Sequence, residues 1–301
     1  MSTLTSFMFH DIRTENIYPK RYNLKSFMTQ EKFKKCISLI NDKYEIIGSD
    51  QIKNIDLSDG NNNFAVLTFD DGLRDHYWVS KFLKSIGLTG TFFIPKMPIH
   101  ELKVIKSHKI QFILASFPEK DIVKEILGLF NSEESSDLWD MYSKTLWKNN
   151  WWSKEMIFIT NFLRKDLRAK DMGITDLLFK KYVSVDEESF SKDLYLDIKN
   201  IEEMSNNGMI IGGHGNISEN MILMKSDEYK QELKESFNFI SNWSDDAFIS
   251  YPNGGYNDEI LDHTNEVGFS LGFTTVKQTL TNLDNLNYLE LPRYDGAQDV
   301  L

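Results

Sequence analysis

Short apolar runs alternate with longer helix-like stretches at both ends of the 301-residue chain. This alternation is typical of parallel strands joined by crossover helices, and it predicts an α/β fold. The predicted strands are Ser6–Phe9, Tyr44–Ile47, Ala65–Phe69, Gly90–Ile94, Met209–Ile211, Phe248–Ser250 and Ser270–Thr274. The helices predicted between them are Glu31–Asp42, His76–Ile86, Leu196–Asn206, Asp227–Asn242 and Asp258–Val267.

Residues 98–197 break the alternation, because this stretch is rich in helix formers and offers few strand-like runs. The pattern predicts one α/β domain made of residues 1–97 and 198–301, with a mainly helical insertion at 98–197. The insertion is rich in tryptophan, which suits either a stacking surface for a sugar ring or ordinary helix packing. Its tryptophans are Trp139, Trp147, Trp151 and Trp152.

The charge balance argues against a nucleic acid partner. Lys and Arg number 34 against 45 Asp and Glu, a net charge of −11, and no basic stripe offsets it. Cys36 is the only cysteine, so we expect a buried free thiol. The first residues lack a charged leader with an apolar core, and no apolar window reaches about 18 residues. We therefore expect a cytoplasmic protein without an integral membrane segment.

Three predicted strands end directly in polar or glycine-containing segments. The chemistry of parallel α/β sheets and barrels lies at the carboxyl ends of the strands, so we expect these three junctions to converge. The segments are Asp70-Asp71-Gly72, Gly212-Gly213-His214 and Tyr251-Pro252-Asn253-Gly254.

The adjacent carboxylates Asp70 and Asp71 repel each other, and a bound cation relieves that repulsion. One aspartate would then bind the metal while the other accepts a proton from water. An ordinary turn after a strand is the alternative explanation of the same three residues. His214 is open to two interpretations in the same way, as a metal ligand or as a polar loop residue.

Five segments in this order resemble the polysaccharide deacetylase family, also called the NodB-homology or carbohydrate esterase family 4 domain. The resemblance implies a distorted (β/α) barrel with fewer than eight strands, and metal-dependent removal of N- or O-acetyl groups from carbohydrate. The matching segments are FMFHD (7–11), LTFDDG with GTFFIP (67–72 and 90–95), IGGHGNIS (211–218), YPNGGYN (251–257) and LPRYD (291–295).

The resemblance implies that Asp70 is the general base and that Asp71 and His214 bind a divalent ion, with zinc expected. The family's second histidine ligand falls at Ser218, whose hydroxyl is a poor zinc ligand. Glu219, Asn216 or His10 would complete the site, or the ion would be held weakly with additional water. A site without metal, kept for binding alone, is the remaining possibility.

Further roles follow from the same resemblance. A backbone N–H after the Tyr251-Pro252 segment would hold the developing oxyanion, which makes Tyr251, Pro252 and Asn253 the expected substrate-binding residues. The family's arginine before this segment is absent, and we expect Arg293 to reach Asp70 instead and to depress its pKa. The family's late histidine is also missing. His10 is the substitute that we expect to protonate the leaving amine.

The sequence thus predicts a metal-dependent hydrolase that removes an N-acetyl group from a sugar or a surface-polysaccharide precursor. Ser218 motivates the alternative, a catalytically impaired carbohydrate-binding protein on the same fold. A hydrolase acting on other non-peptide C–N bonds is a third possibility. No feature of the sequence sets the oligomeric state.

Overall fold

A computed structural model of the chain describes residues 2–13, 27–58, 60–144, 152–244 and 246–300. Within these residues the chain forms two compact units. One unit contains residues up to 103 together with those from 191 onward, and the second contains 104–190.

The first unit is built on an eight-stranded sheet in which every pair of neighbouring strands is parallel. Its strand order is β10-β1-β5-β6-β7-β8-β9, with β4 also paired to β5. A separate short ribbon pairs β2 with β3. The strands are β1 (Thr3–Phe9), β2 (Ile12–Arg13), β3 (Met28–Thr29), β4 (Glu45–Ile47), β5 (Asn63–Asp70), β6 (Thr91–Ile94), β7 (Ile210–Gly213), β8 (Phe248–Ser250), β9 (Leu271–Phe273) and β10 (Tyr294–Asp295).

The sheet curls on itself, as the barrel prediction requires. Phe273 in β9, at one end of the strand order, forms a parallel bridge with Leu291, which lies shortly before β10 at the other end. Leu4, Val66, Phe93, Phe273 and Leu291 belong to one buried apolar cluster. The predicted α/β fold with a curled, barrel-like parallel sheet is therefore confirmed.

The central strand β5 is buried from Phe64 to Asp70, which agrees with the continuous apolar run expected of a parallel strand covered on both faces. The helices that we predicted around the strands are present, with ends shifted by no more than two residues. The helices are α1 (Gln30–Asn41), α2 (His76–Ser85), α3 (Lys96–His100), α4 (Lys106–Ser116), α5 (Glu119–Leu127), α6 (Ser132–Tyr142), α7 (Lys154–Lys165), α8 (Leu167–Asp171), α9 (Ile174–Tyr182), α10 (Glu187–Leu194), α11 (Ile198–Asn206), α12 (Ser226–Ile240), α13 (Asp258–Val267) and α14 (Gly296–Asp299).

The second unit is helical throughout its described residues. Trp139 packs against Phe158, with ring centroids 5.3 Å apart, so this tryptophan takes part in helix packing. Trp152 is half-buried, whereas Trp147 and Trp151 lie outside the described residues.

The second unit begins after, and ends before, the predicted limits of 98 and 197, because residues at both ends are bonded into the sheet unit. At the first end, α3 (Lys96–His100) crosses the predicted limit, and the N–H of its Met97 donates to the Asn216 carbonyl. At the second end, Tyr195 forms a β-bridge with Leu73.

Two smaller expectations concern Cys36 and the membrane. Cys36 is fully buried in α1, as predicted, and its thiol donates to the Gly296 carbonyl at 3.5 Å. Among the helices in the described part of the chain, none has both the length and the apolar character needed to cross a bilayer.

Candidate metal and acid–base site

The two aspartates lie at the carboxyl end of β5, where the backbone turns sharply. Asp71 has a φ of 80° and Gly72 a φ of 60°, so two successive residues adopt the left-handed conformation. A Cβ on Gly72 would lie 2.9 Å from Ile94 Cγ2, so the turn also needs a residue without a side chain. A non-glycine residue in this conformation carries strain of the kind found at functional sites.

Asp70 is buried and paired with Arg293 through both carboxylate oxygens. Arg293 Nη1 donates to Asp70 Oδ1 and Nη2 donates to Oδ2, each at 2.8 Å. The Ser250 hydroxyl also donates to Oδ2, at 3.1 Å. Burial alone would raise the pKa of Asp70, but the Arg293 charge and hydrogen bonds, with the nearby His214, lower it below its ordinary value. Asp70 is therefore held ionised, and Arg293 lies where the sequence predicted it.

His214 follows β7 and faces Asp71. Its Nδ1 is 2.8 Å from the Ser250 carbonyl oxygen, an acceptor, so Nδ1 carries a proton and Nε2 is the nitrogen that faces Asp71. Burial alone would lower the pKa of His214, but the hydrogen bond and charge of Asp71, with the charge of Asp70, raise it. Nε2 lies 3.5 Å from Asp71 Oδ1. Two ligands of one tetrahedral zinc ion, each bonded at about 2 Å, are separated by about 3.3 Å. The spacing of Asp71 and His214 therefore fits two neighbouring positions around a divalent ion.

The rest of the donor set is sparse. Within the described ranges, no group of three His, Cys, Asp or Glu side chains is placed to hold a metal ion, so neither Glu219 nor His10 completes the site. Ser218 is buried with a φ of 55°, a second strained residue in the same region. Asn216 has a buried side-chain oxygen without a hydrogen-bond partner among the described residues. The described residues therefore bring two donors, one carboxylate and one imidazole, to the candidate cation position.

His10 lies beside the base, at the end of β1. Its Nε2 is 3.9 Å from Asp70 Oδ2, and its side chain is partly exposed. The backbone carbonyl of His10 accepts a hydrogen bond of 2.7 Å from Nε2 of His76, the first residue of α2. Burial lowers the pKa of His76 to about 4, so this histidine is neutral and acts as a fixed donor.

The three residues after β8 that the sequence predicted to bind substrate differ in whether their backbone N–H can hold an oxyanion. The Tyr251 N–H donates to the Phe273 carbonyl at 3.1 Å, and the buried Tyr251 ring stacks on Tyr256. Pro252 has no N–H to donate. Asn253 is exposed and has a φ of 55°. Of the three predicted residues, Asn253 stays the predicted oxyanion donor.

Sequence reasoning missed two buried residues that organise the site. Ser250 contacts Asp70, Arg293 and His214 at once. The only available signal was a polar residue ending an apolar strand. Glu232 in α12 bonds the loop after His214, and its signal was a carboxylate on the buried helix face that also carries Tyr229 and Leu233.

Comparison with solved structures places the architecture among known proteins. The Streptococcus pyogenes deacetylase PplD, solved in complex with acetate, has a TM-score of 0.57 at 16% identity, covering 97% of this chain and 92% of its own. A de-N-acetylase from Aggregatibacter actinomycetemcomitans has a TM-score of 0.51 at 12% identity, covering 98% and 95%. A polysaccharide deacetylase from Bacillus cereus has a TM-score of 0.55 at 12% identity, covering 97% of this chain and 64% of its own.

This is the polysaccharide deacetylase fold. No model of a known protein family matches the sequence, and no curated protein matches it. Within the polysaccharide deacetylase fold of this chain, Asp70 ends β5 and Asp71 follows it, whereas His214 follows β7, which is separated from β5 by one strand, β6.

Proposed function

We propose that this protein is a metal-dependent hydrolase that removes an N-acetyl group from a sugar of a polysaccharide or its precursor. One observation carries the proposal: Asp71 Oδ1 and His214 Nε2 lie 3.5 Å apart, next to a buried carboxylate held ionised by Arg293. A cation position beside an ionised base is what hydrolysis of an amide by water requires.

Asp71 and His214 would hold the divalent ion, with Ser218 and Asn216 as neutral oxygen donors nearby in the sequence. The ion supplies Lewis acidity, which polarises the acyl oxygen and makes water more acidic. The zinc assignment rests on the imidazole and carboxylate donors, and weak retention is expected from the small number of charged ligands.

The chain's own residues account for the proton transfers. Asp70 accepts a proton from the attacking water as the new C–O bond forms at the acyl carbon. His10, whose Nε2 lies 3.9 Å from Asp70 Oδ2, gives a proton to the sugar nitrogen as the C–N bond breaks. The products are acetate and a free amine, and Asp70 and His10 each return to their starting state by one proton exchange with solvent.

The substrate class is inferred from the structural neighbours and from the reaction. The PplD structure contains acetate, and another neighbour is described as a de-N-acetylase. An N-acetylated sugar, free or linked to a polymer, lipid or nucleotide, would supply the acyl amide and release acetate. A cytoplasmic location stays a prediction from the sequence, to be tested by cell fractionation.

The test combines metal analysis with acetate release from N-acetylglucosamine oligomers. Because weak retention is expected, the metal is measured under zinc-replete conditions, where we expect about one divalent ion per chain. Asp71→Ala should lose the ion. Asp70→Asn should keep the ion, but its rate of acetate release should fall by at least about 10³-fold. Asp193→Ala removes a carboxylate that is 72% exposed and should change neither measurement.

A carbohydrate-binding protein without catalysis is the second candidate. The absence of a third charged or imidazole ligand among the described residues favours it. Binding of the same oligomers without bound zinc, cobalt or nickel, and without acetate release, would select this function over hydrolysis.

A further inference from the structure

The loop after His214 is bonded on two sides. On one side, the N–H groups of Lys96 and Met97 in α3 donate to the carbonyls of Gly215 and Asn216, at 3.3 and 2.9 Å. On the other side, a single acceptor, Glu232 Oε2, receives the N–H groups of Asn216 and Ile217. The backbone path between His214 and Ser218 is thus held by α3 and by Glu232.

Glu232 reaches the loop from the buried face of α12. Its Oε2 accepts from the Asn216 N–H at 2.8 Å and from the Ile217 N–H at 2.9 Å. Only 6% of Glu232 is exposed. A buried carboxylate is costly unless hydrogen bonds satisfy it, and an apolar side chain would suit the buried helix face better. The position therefore has a use other than core packing.

Gly215 allows the loop to come this close. Its φ is +69°, and a Cβ there would lie 3.0 Å from Glu232 Oε2 and 3.4 Å from Pro252 Cγ. A side chain at this position would push the loop away from the carboxylate. Glu232 and Gly215, together with the hydrogen bonds from α3, hold the backbone that follows His214.

We propose that Glu232 is a positioning residue for the cation site, because its carboxylate sets the loop that places the His214 imidazole against Asp71. This inference rests on the proposed metal-dependent function. Residues that orient metal ligands from outside the coordination sphere contribute about 10- to 100-fold to metal affinity. Without the carboxylate, two part-buried backbone N–H groups lose their acceptor and the loop relaxes away from α12.

The experiment measures Co²⁺ binding to the metal-free full-length protein, by competition with a chromophoric chelator and by the visible spectrum of bound Co²⁺. Glu232→Leu should bind Co²⁺ about 10- to 100-fold more weakly, with a changed spectrum. Glu232→Gln keeps an oxygen that accepts both N–H groups, so its affinity should stay within about threefold of wild type. Glu235→Gln is the matched control on the same helix, since Glu235 pairs with Lys96 instead, and should leave affinity and spectrum unchanged.

A second variant, Glu232→Asp, tests the same role if the leucine variant does not fold. Glu232→Asp keeps the charge but withdraws the carboxylate from the loop by one methylene, and it should weaken Co²⁺ binding as the leucine variant does. Wild-type affinity and spectrum in the folded Asp variant, or in a folded Leu variant, would overturn the role of Glu232 alone. If the wild-type protein binds neither Co²⁺ nor Zn²⁺, both the metal-dependent function and this inference are wrong.

Discussion

Replacing Arg293 by methionine is the most direct test of the ion pair between Arg293 and the candidate base Asp70. Arg293 is 1% exposed, and all five of its N–H donors are used: two by Asp70 and one each by Thr68, Ser250 and the Thr274 carbonyl. Methionine fills part of the volume but offers no donor. Among the described residues, the substitution therefore leaves the Asp70 carboxylate with Ser250 as its one hydrogen-bond donor and with His214 and His10 as the remaining nearby charged groups.

Removing one partner of a buried ion pair costs about 3–5 kcal/mol, because the remaining charge is left uncompensated. We expect the free energy of unfolding of Arg293→Met at pH 7 to fall by about that amount, measured by urea denaturation. Asp70→Asn in the same chain removes the unpaired charge. The double variant should therefore be more stable than Arg293→Met, which gives a non-additive double-mutant cycle.

The same change acts on the rate through the pKa of Asp70. The Arg293 charge lowers this pKa against the effect of burial, so its loss leaves burial dominant and raises the pKa. A base with a raised pKa becomes protonated at a higher pH, and the acidic limb of kcat against pH moves upward. We expect kcat to fall more than KM rises. An unchanged acidic limb with wild-type stability would refute the placement of Arg293 as the partner of the base.

Three further predictions concern the metal, acid stability and the thiol. Ser218→His should raise Zn²⁺ affinity at least about 10-fold if residue 218 faces Asp71 and His214, and chelator competition measures it. Burial lowers the pKa of His76 to about 4 from about 6.5 when unfolded, so the neutral form is favoured in the fold and stability is lost as the pH falls through this range. The free energy of unfolding, measured by urea denaturation, should fall by about 2 kcal/mol less between pH 7 and pH 4.5 in His76→Gln than in wild type, because glutamine keeps a donor and does not titrate. An equal fall in the two proteins would contradict this prediction. Burial raises the pKa of the Cys36 thiol to about 12, so it should react with iodoacetamide at pH 8 only after denaturation, as mass spectrometry would reveal.

The sequence was sufficient to predict those strands and helices whose structure depends on residues close together in the chain. The apolar run before Asp70 predicted β5 because a strand buried on both faces needs consecutive apolar residues. The boundaries of the insertion were less accurate. Hydrogen bonds from Met97 and the bridge at Tyr195, both to residues distant in sequence, join these stretches to the sheet unit.

The order of the segments along the chain does not show which residues of the candidate site contact one another. The motifs brought Asp71 and His214 into one hypothesis, and the structure places them 3.5 Å apart. The sequence suggested that Arg293 reaches Asp70, but not that Ser250 joins the same hydrogen-bond group. It also left Tyr251 open as an oxyanion donor, which the bond from its N–H to the Phe273 carbonyl now makes unsuitable.

By itself, the sequence determined the parallel α/β architecture and the sharp turn after Asp70, because these features depend on side-chain periodicity and on backbone preferences within a few residues. The candidate acid, base and ligand residues came from the resemblance of five segments to the polysaccharide deacetylase family. Only the tertiary structure decided which donors surround Asp70, how Glu232 holds the loop after His214, and how few charged ligands meet at the cation position. Those contacts depend on strand register and helix placement between residues far apart in the chain, because a hydrogen bond requires a position accurate to a few tenths of an ångström.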